Sequence, residues 1–234
     1  MSEFFLELFS EEIPTNLQKS LREDLLESFK NLFLEKSIKF KKNSSFSTPN
    51  RLIILLEGVQ KKVVIKGEEI KGPNLNSPAL AIEGFMRSNK ISKKDLFEKE
   101  TGRGKFYFFK SKPKKINTHQ LLEEFIPILL KKIQWKKSMH WGNFDLNWGR
   151  PLKSILAIFD KKQLSFDFYH LKSSNYTFVD KEFEEKKKIF TDYKGYKKFF
   201  KSLDIIIDHN ERRNLIKKKF DKFLINKEIN IDNN

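Results

Sequence analysis

The sequence predicts an α+β fold: a mixed sheet with packed helices, followed by a short helical C-terminal segment. Three observations carry that expectation. Strand-like and helix-like runs are interspersed without a regular βαβ rhythm. The stretch Phe4-Phe5-Leu6-Glu7-Leu8-Phe9 reads as a buried strand. Leu17, Leu21, Leu25, Phe29 and Leu32 fall on one face of a helix. With 234 residues the chain can bury a proper core in one large domain or two small ones.

The elements follow in order. The first strand is stopped by the turn around Pro14, and Thr15 or Asn16 can cap a helix that runs to about Lys36. Residues 51–58 and 61–66 read as two strands with a tight connection. Lys71-Gly72-Pro73 begins a loop through Asn76, and Ser77 with Pro78 opens a helix carrying Ala81, Phe85 and Met86. Gly102-Arg103-Gly104 is a hairpin turn into the strand Lys105 to Lys110. Thr118 caps a helix with Leu121, Leu122, Phe125, Ile128 and Leu129 on one face. Residues 133–150 are irregular and rich in Trp and Gly, and strands at 152–159 and 163–170 follow. From about Ser173 the chain turns lysine-rich, with helices around 194–202 and 208–225 and a short strand, Leu203 to Ile207, between them. The expected boundary, near 173–185, separates an N-terminal α+β module (1–178) from a mainly helical region (179–234). The polar end, Asn230 to Asn234, is expected to fray.

Composition narrows the function classes. Cysteine is absent, which removes disulfides, thiolate zinc sites and thiol nucleophiles together and fits a cytoplasmic protein. The start, Met1-Ser2-Glu3-Phe4, lacks the basic and apolar character of a signal peptide, and apolar runs such as Leu52 to Leu56 are too short to span a bilayer. A soluble protein without a membrane partner is expected. The net charge of +16 suits an acidic partner such as nucleic acid. Lys, Phe, Ile and Asn all have AT-rich codons, however, so the lysine excess is a weak signal. Only seven of the 47 basic residues are Arg, and those seven are the better binding candidates.

Catalytic patterns fail on inspection. Lys90-Ile91-Ser92-Lys93-Lys94 and His140-Trp141-Gly142-Asn143 imitate paired phosphate-handling loops, but their order is reversed and no parallel-sheet pattern surrounds them. Gly104-Lys105 lacks the remaining P-loop positions. Four scattered histidines show no metal-ligand spacing, and Ser138 with His140 has neither an orienting acid nor an oxyanion hole. Glu11-Glu12 could serve acid–base or magnesium chemistry, but acids just before a helix start are better explained by the helix dipole. Arg51, Arg87 and Arg150 each lie beside a Pro or Gly turn, which suits either a phosphate contact or a buried Arg–carboxylate brace. Trp135, Trp141 and Trp148 could stack exposed bases, although core plugs are the commoner use of such residues.

Several short clusters keep one order along the chain: Ser10-Glu11-Glu12-Ile13-Pro14, Phe46 to Leu52, Glu83-Gly84-Phe85-Met86-Arg87, Lys137 to Gly142, Trp148 to Pro151, and Ile205 to Arg213. In this order they resemble the N-terminal part of the beta subunit of bacterial heterotetrameric glycyl-tRNA synthetase, from about Phe4 to Lys217. Glu7, Glu11, Glu12 and Pro14 match the family's opening, with Phe9 and Ser10 for its Gly and Thr. Asn50 stands for the first Arg of its F-x-T-P-R-R-L, and His140 for the Arg of its K-x-M-R-W-G. A family loop, S-x-R-x-T-x-G-H-R-F, is reduced here to Ser173-Ser174-Asn175-Tyr176-Thr177-Phe178.

The resemblance implies a non-catalytic subunit of a glycine–tRNA ligase. In that family the alpha subunit activates glycine with ATP and magnesium, while the beta subunit contributes tRNA binding and assembly of the tetramer. No cofactor and no catalytic residue is then expected in this chain. The implied partners are the alpha subunit and tRNA(Gly). Arg51, Arg87, Lys137, Trp141 and Arg150 are the tRNA-binding candidates. Glu11, Glu12, Pro14, Gly84, Gly142, Glu211 and Arg212 are family-motif residues of unassigned role. The alternative is a stand-alone basic RNA-binding protein, or a fragment with no synthetase role.

Overall fold

A computed structural model describes residues 2–65, 67–102, 104–111, 113–135, 138–140, 146–179 and 187–227. The chain forms two compact units: Met1–Lys61 with Asn117–Asn234, and Lys62–Ile116.

The first unit is built around β1 (Glu3–Ser10), whose side chains are buried from Phe4 to Ser10. A strand with apolar residues at both parities must be covered on both faces, and it is. On one face lies α1 (Thr15–Glu35), which buries Leu21, Leu25, Phe29, Leu32 and Phe33; the Phe4 ring is 5.1 Å from that of Phe29. Pro14 occupies the cap position with no side-chain capping bond, so Thr15 is the first helical residue rather than the cap. β2 (Lys42–Thr48) and β3 (Arg51–Glu57) form a hairpin across Pro49-Asn50. The polar run of β2 carried no strand signal, because β2 is an edge strand with one solvated side.

The second unit comprises β4 (Lys62–Ile65), β5 (Glu69–Asn74), α2 (Ala79–Asn89), β6 (Leu96–Thr101), β7 (Gly104–Lys110) and β8 (Lys114–Asn117). β6 and β7 make the expected hairpin, and β5 completes a three-stranded sheet on the other edge of β7. Lys71-Gly72-Pro73 lies in β5, not in a loop: the pairing register shifts between Lys71 and Asn74, which accommodates Pro73. The tight connection expected after β3 is not a hairpin, since β3 pairs with β1 and β2 while β4 pairs with β8.

The chain returns to the first unit with α3 (Thr118–Lys131), capped by the Asn117 side chain rather than by Thr118. α3 buries Leu121, Leu122, Ile126, Leu129 and Leu130, and leaves Ile128 exposed, so the apolar face is turned from the expected one. Two-residue strands β9 (Met139–His140) and β10 (Asn147–Trp148) precede the long β11 (Leu152–Phe159). The expected strand over 163–170 breaks into β12 (Lys162–Gln163) and β13 (Asp167–Phe168). β14 (Leu171–Ser174), β15 (Tyr176–Thr177), β16 (Lys188–Ile189), α4 (Tyr193–Lys201) and α5 (His209–Lys227) follow. Leu203 to Ile207 is turn and irregular chain, not a strand. The main sheet runs β13-β14-β11-β1-β3-β2, with β12 on β11; the β11–β14 pair is parallel and the others antiparallel, giving the mixed sheet.

Phe5, Ile53, Leu55, Leu156 and Ile158 form the second face of that sheet. Phe190, Tyr193, Tyr196, Phe200 and Ile207 pack on it. Tyr193, Tyr196 and Phe200 recur at helical spacing in α4, whose start is capped by the Asp192 carboxylate accepting from Gly195 N at 2.7 Å. Burial of each Phe here contributes roughly 1.5–3 kcal/mol. Phe190 to Ile207 thus share a core with β1, β3 and β11, while α5 leaves Leu215, Ile216, Phe220 and Phe223 exposed; the expected 178/179 boundary falls inside one compact unit. Among the described residues, no helix is long and apolar enough to cross a membrane.

Candidate functional site

Two charged assemblies grow from the C-terminal part of β1 and the turn that follows it. The first is interior. Glu7 is fully buried among apolar neighbours, where an unpaired carboxylate would be very costly. Its partner is Arg51, the first residue of β3 and 2% exposed, with Nε 3.2 Å from Glu7 Oε1. The guanidinium also donates to Asn50 Oδ1 (2.8 Å), to the Val179 carbonyl (2.9 Å) and to the Phe178 carbonyl, and lies over the rings of Phe9 and Phe200. Thr177 donates its hydroxyl to Glu7 Oε1 at 2.7 Å. The Tyr196 hydroxyl neighbours the same carboxylate, yet neither it nor Glu7 Oε2 has a partner in hydrogen-bond geometry among the described residues. Burial raises the Glu7 carboxyl above the ordinary range, opposed by Arg51, Thr177 and Tyr196. Burial, then the charge of Glu7, pushes the Tyr196 phenol well above its usual value.

Arg51 is therefore the brace of the two readings its sequence context allowed. Its planar, permanently charged fork ties β1, the β2–β3 turn and the 177–179 segment together. The guanidinium is enclosed and four of its five N–H donors are engaged in the interior, which is the setting of a brace.

The second assembly is open. At the end of β1, Ser10 N donates to Asn50 O (2.9 Å), Glu11 N to Pro151 O (3.0 Å) and Ile13 N to Pro49 O (2.6 Å). Three sequence clusters far apart in the chain meet there. Glu11, Glu12, Pro14, Thr15, Asn16 and Arg150 line a pocket of about 500 Å³. Glu11 and Glu12 are exposed, and Arg150 is half-buried with Nε enclosed and lacking a partner among the described residues. Arg150 is held by its neighbours: Trp148 is 2% exposed, its ring 5.1 Å from that of Trp135 and 5.7 Å from that of Phe168. Gly149 is needed because an added Cβ would come within 1.9 Å of the Trp135 ring. Trp148 thus serves as a core plug, with half-buried Trp135 packed against it.

A fourth cluster joins from α5. Asp208 Oδ1 accepts from Asn210 N and Glu211 N, capping the helix. Arg212 donates to Ile206 O (2.6 Å) and to Ser47 O (3.0 Å), while Arg22 from α1 donates to Ser47 Oγ (3.2 Å). Glu211 pairs with Lys197 at 2.8 Å, and that hydrogen bond lowers its carboxyl below the ordinary range. Sequence reasoning counted Arg22 only among the seven arginines and gave Thr177 and Tyr196 no role. Glu7 carried a legible signal, a lone carboxylate inside an otherwise apolar strand.

Arg87 and Gly84 lie on α2 in the second unit, both exposed, and a Cβ added at Gly84 would meet nothing within 4 Å. Lys137, Trp141 and Gly142 lie outside the described residues. Among the described residues, no group of three His, Asp or Glu side chains is placed to hold a metal ion.

Comparison with known proteins gives the class first: the chain is related to aminoacyl-tRNA synthetase subunits. In particular, the family model of the glycyl-tRNA synthetase beta subunit matches residues 4–234, and the chain belongs to that family. It is 37% identical over 217 residues to the glycine–tRNA ligase beta subunit of Rickettsia prowazekii (strain Madrid E), covering 93% of this chain and 32% of that protein. The corresponding subunit of Rickettsia bellii (strain OSU 85-389) is 38% identical over 217 residues, with 93% and 33% covered. The chain spans about a third of the length of these curated relatives.

Proposed function

We propose that this chain acts as the N-terminal portion of a glycine–tRNA ligase beta subunit in the cytoplasm. It supports ATP-dependent attachment of glycine to tRNA(Gly) through tRNA binding and assembly with a catalytic alpha subunit, which uses the ATP and magnesium. The observation that carries this reading is family membership over residues 4–234. The geometry adds to it: four ordered family clusters converge on the ends of β1 and β2, where they build an interior brace and an open charged pocket instead of scattering over the surface. Of the three arginines beside Pro or Gly turns, Arg150 at that pocket and exposed Arg87 are available to a partner. The net charge of +16 favours encounter with RNA.

Co-expression with the alpha subunit of the same organism, followed by size-exclusion chromatography at raised salt, tests assembly. A stable complex with an interface of at least ~1,000 Å² co-elutes; separate elution rejects the assembly role. The purified chain alone neither adenylates glycine nor charges tRNA, so glycine-dependent ATP–pyrophosphate exchange without the alpha subunit would overturn the non-catalytic reading.

A further inference from the structure

The second unit concentrates the positive charge of the chain. Residues 62–116 carry 14 Lys and Arg against six Asp and Glu, an excess that is half of the net charge of +16. The three-stranded sheet β5-β7-β6 of this unit has two faces of different character. On one face Phe109 is 5% exposed, and its ring stands 5.7 Å from that of Phe85 on α2. Side chains alternate along a strand, and residues directly opposite in an antiparallel pair share a face. The pairs Lys71 with Phe108, Phe108 with Phe97, Phe106 with Lys99 and Glu69 with Lys110 therefore point the other way.

That second face interleaves rings and ammonium groups. Phe97 is 38% exposed, Phe106 is half-buried, and Lys71, Lys99 and Lys110 are exposed. The Phe97 and Phe108 rings stack 6.1 Å apart, inclined by 27°. Lys71 Nζ stands 3.4 Å from the centre of the Phe106 ring, and Lys99 Nζ 5.6 Å from that of Phe108. Glu69 on the same face holds Lys99 at 2.6 Å, so Lys99 is a fixed part of the wall. Lys71 is placed differently. An ammonium over an exposed ring is held more weakly than a nucleobase stacked on that ring. A base that takes the Phe106 face moves Lys71 Nζ aside, where the phosphate of the same nucleotide strand receives it. Bases inside a duplex are closed off by pairing, so only unpaired nucleotides can lie on these rings.

We propose that this sheet face binds unpaired nucleotides of RNA, with Phe97 and Phe106 each stacking a base and Lys71 meeting the adjoining phosphate. The proposal rests on the tRNA-binding reading above and names its site. The excess of positive charge on the unit complements the phosphates of such a strand.

The test measures affinity of the full chain for tRNA(Gly), for a single-stranded RNA oligonucleotide and for an RNA duplex of equal length, across a salt series. Phe97→Leu/Phe106→Leu keeps apolar bulk and removes both ring faces. It weakens binding of tRNA and of the single strand about tenfold for each stack lost, with the log–log salt slope unchanged. Lys71→Gln instead makes that slope shallower by about 0.7, for one phosphate no longer neutralised. Phe220→Leu/Phe223→Leu, at exposed positions of α5, leaves affinity and slope as they were. If the wild-type chain binds no tRNA, the tRNA-binding reading fails and this face with it. If wild type binds but the Phe97/Phe106 variant keeps its affinity, the face alone is rejected. An equal loss for the duplex would show that the rings do not stack unpaired bases and overturn the proposal. So would a variant that keeps tRNA affinity but no longer co-elutes with the alpha subunit, which would make the face a protein interface. If the double variant unfolds, Phe97→Leu at the more exposed ring replaces it, with a loss of about tenfold, and Phe97→Tyr, which keeps the ring, must bind as wild type does.

Discussion

Glu7 with Arg51, and Glu11 and Glu12 with Arg150, are two sets of the same chemical groups, built at neighbouring positions of one strand and the turn after it. Their settings differ. Glu7 points into the core under α4, and its partner is enclosed by Phe9, Phe200 and two carbonyls. Glu11 and Glu12 stand past the last strand residue, in water, around an open pocket. The difference teaches that burial decides whether such a pair braces the fold or faces a partner. Inside, the pair is costly to break, because either charge left alone stays desolvated. Outside, Glu11 and Glu12 remain solvated whether or not Arg150 is there, and little stability depends on them.

The largest expected effect comes from breaking the interior pair. Arg51→Met removes one partner and leaves Glu7 buried, which costs about 3–5 kcal/mol in urea unfolding. A loss under 1 kcal/mol would show that Arg51 is not the brace. Next is Arg212→Gln, which removes the charged donors to Ser47 O and Ile206 O. The group is partly exposed, so the expected cost is about 1.5 kcal/mol, at the low end for hydrogen bonds to a charged group.

The third effect is a pH dependence. Burial raises the Glu7 carboxyl, so between its unfolded and folded titration ranges the folded chain binds more protons than the unfolded chain. Stability is then highest below the ordinary carboxylate range and falls as pH rises towards the raised folded value, by at most about 1.4 kcal/mol per pH unit. Glu7→Gln abolishes that slope, and a variant profile parallel to wild type would refute the assignment. Smaller again is Gly84→Ala on α2: the open surroundings admit the methyl group, and the helix gains roughly 0.5–1 kcal/mol. A destabilised variant would reveal a neighbour at Gly84. Last, Arg150→Gln at the open pocket shifts stability by no more than about 0.5 kcal/mol. Weakened association with tRNA or the alpha subunit at unchanged stability would place the function at that pocket, whereas a loss as large as that of Arg51→Met would erase the distinction between the two sets.

By itself the sequence determined the α+β class, the buried strand Phe4 to Phe9, the apolar stripe of α1, the β6–β7 hairpin and the order of the family clusters. These are local patterns of period two or 3.6, or fixed turn chemistry, and neighbouring residues suffice to write them. The tertiary structure decided what no local pattern carries. The edge strand β2 is polar because only one of its sides is covered. Leu203 to Ile207 looks extended and apolar yet is turn and irregular chain, since Ile207 is buried by packing on the sheet rather than by pairing in it. The region after 178 joins the first core because Tyr193, Tyr196 and Phe200 find the open face of β1. Arg51 lies two residues after Pro49 and Arg150 directly before Pro151, and both readings of each were open in the sequence. Only the fold brings Glu7, Thr177 and the carbonyls of Phe178 and Val179 around one of them, because desolvation depends on what lies overhead and not on what comes next in the chain.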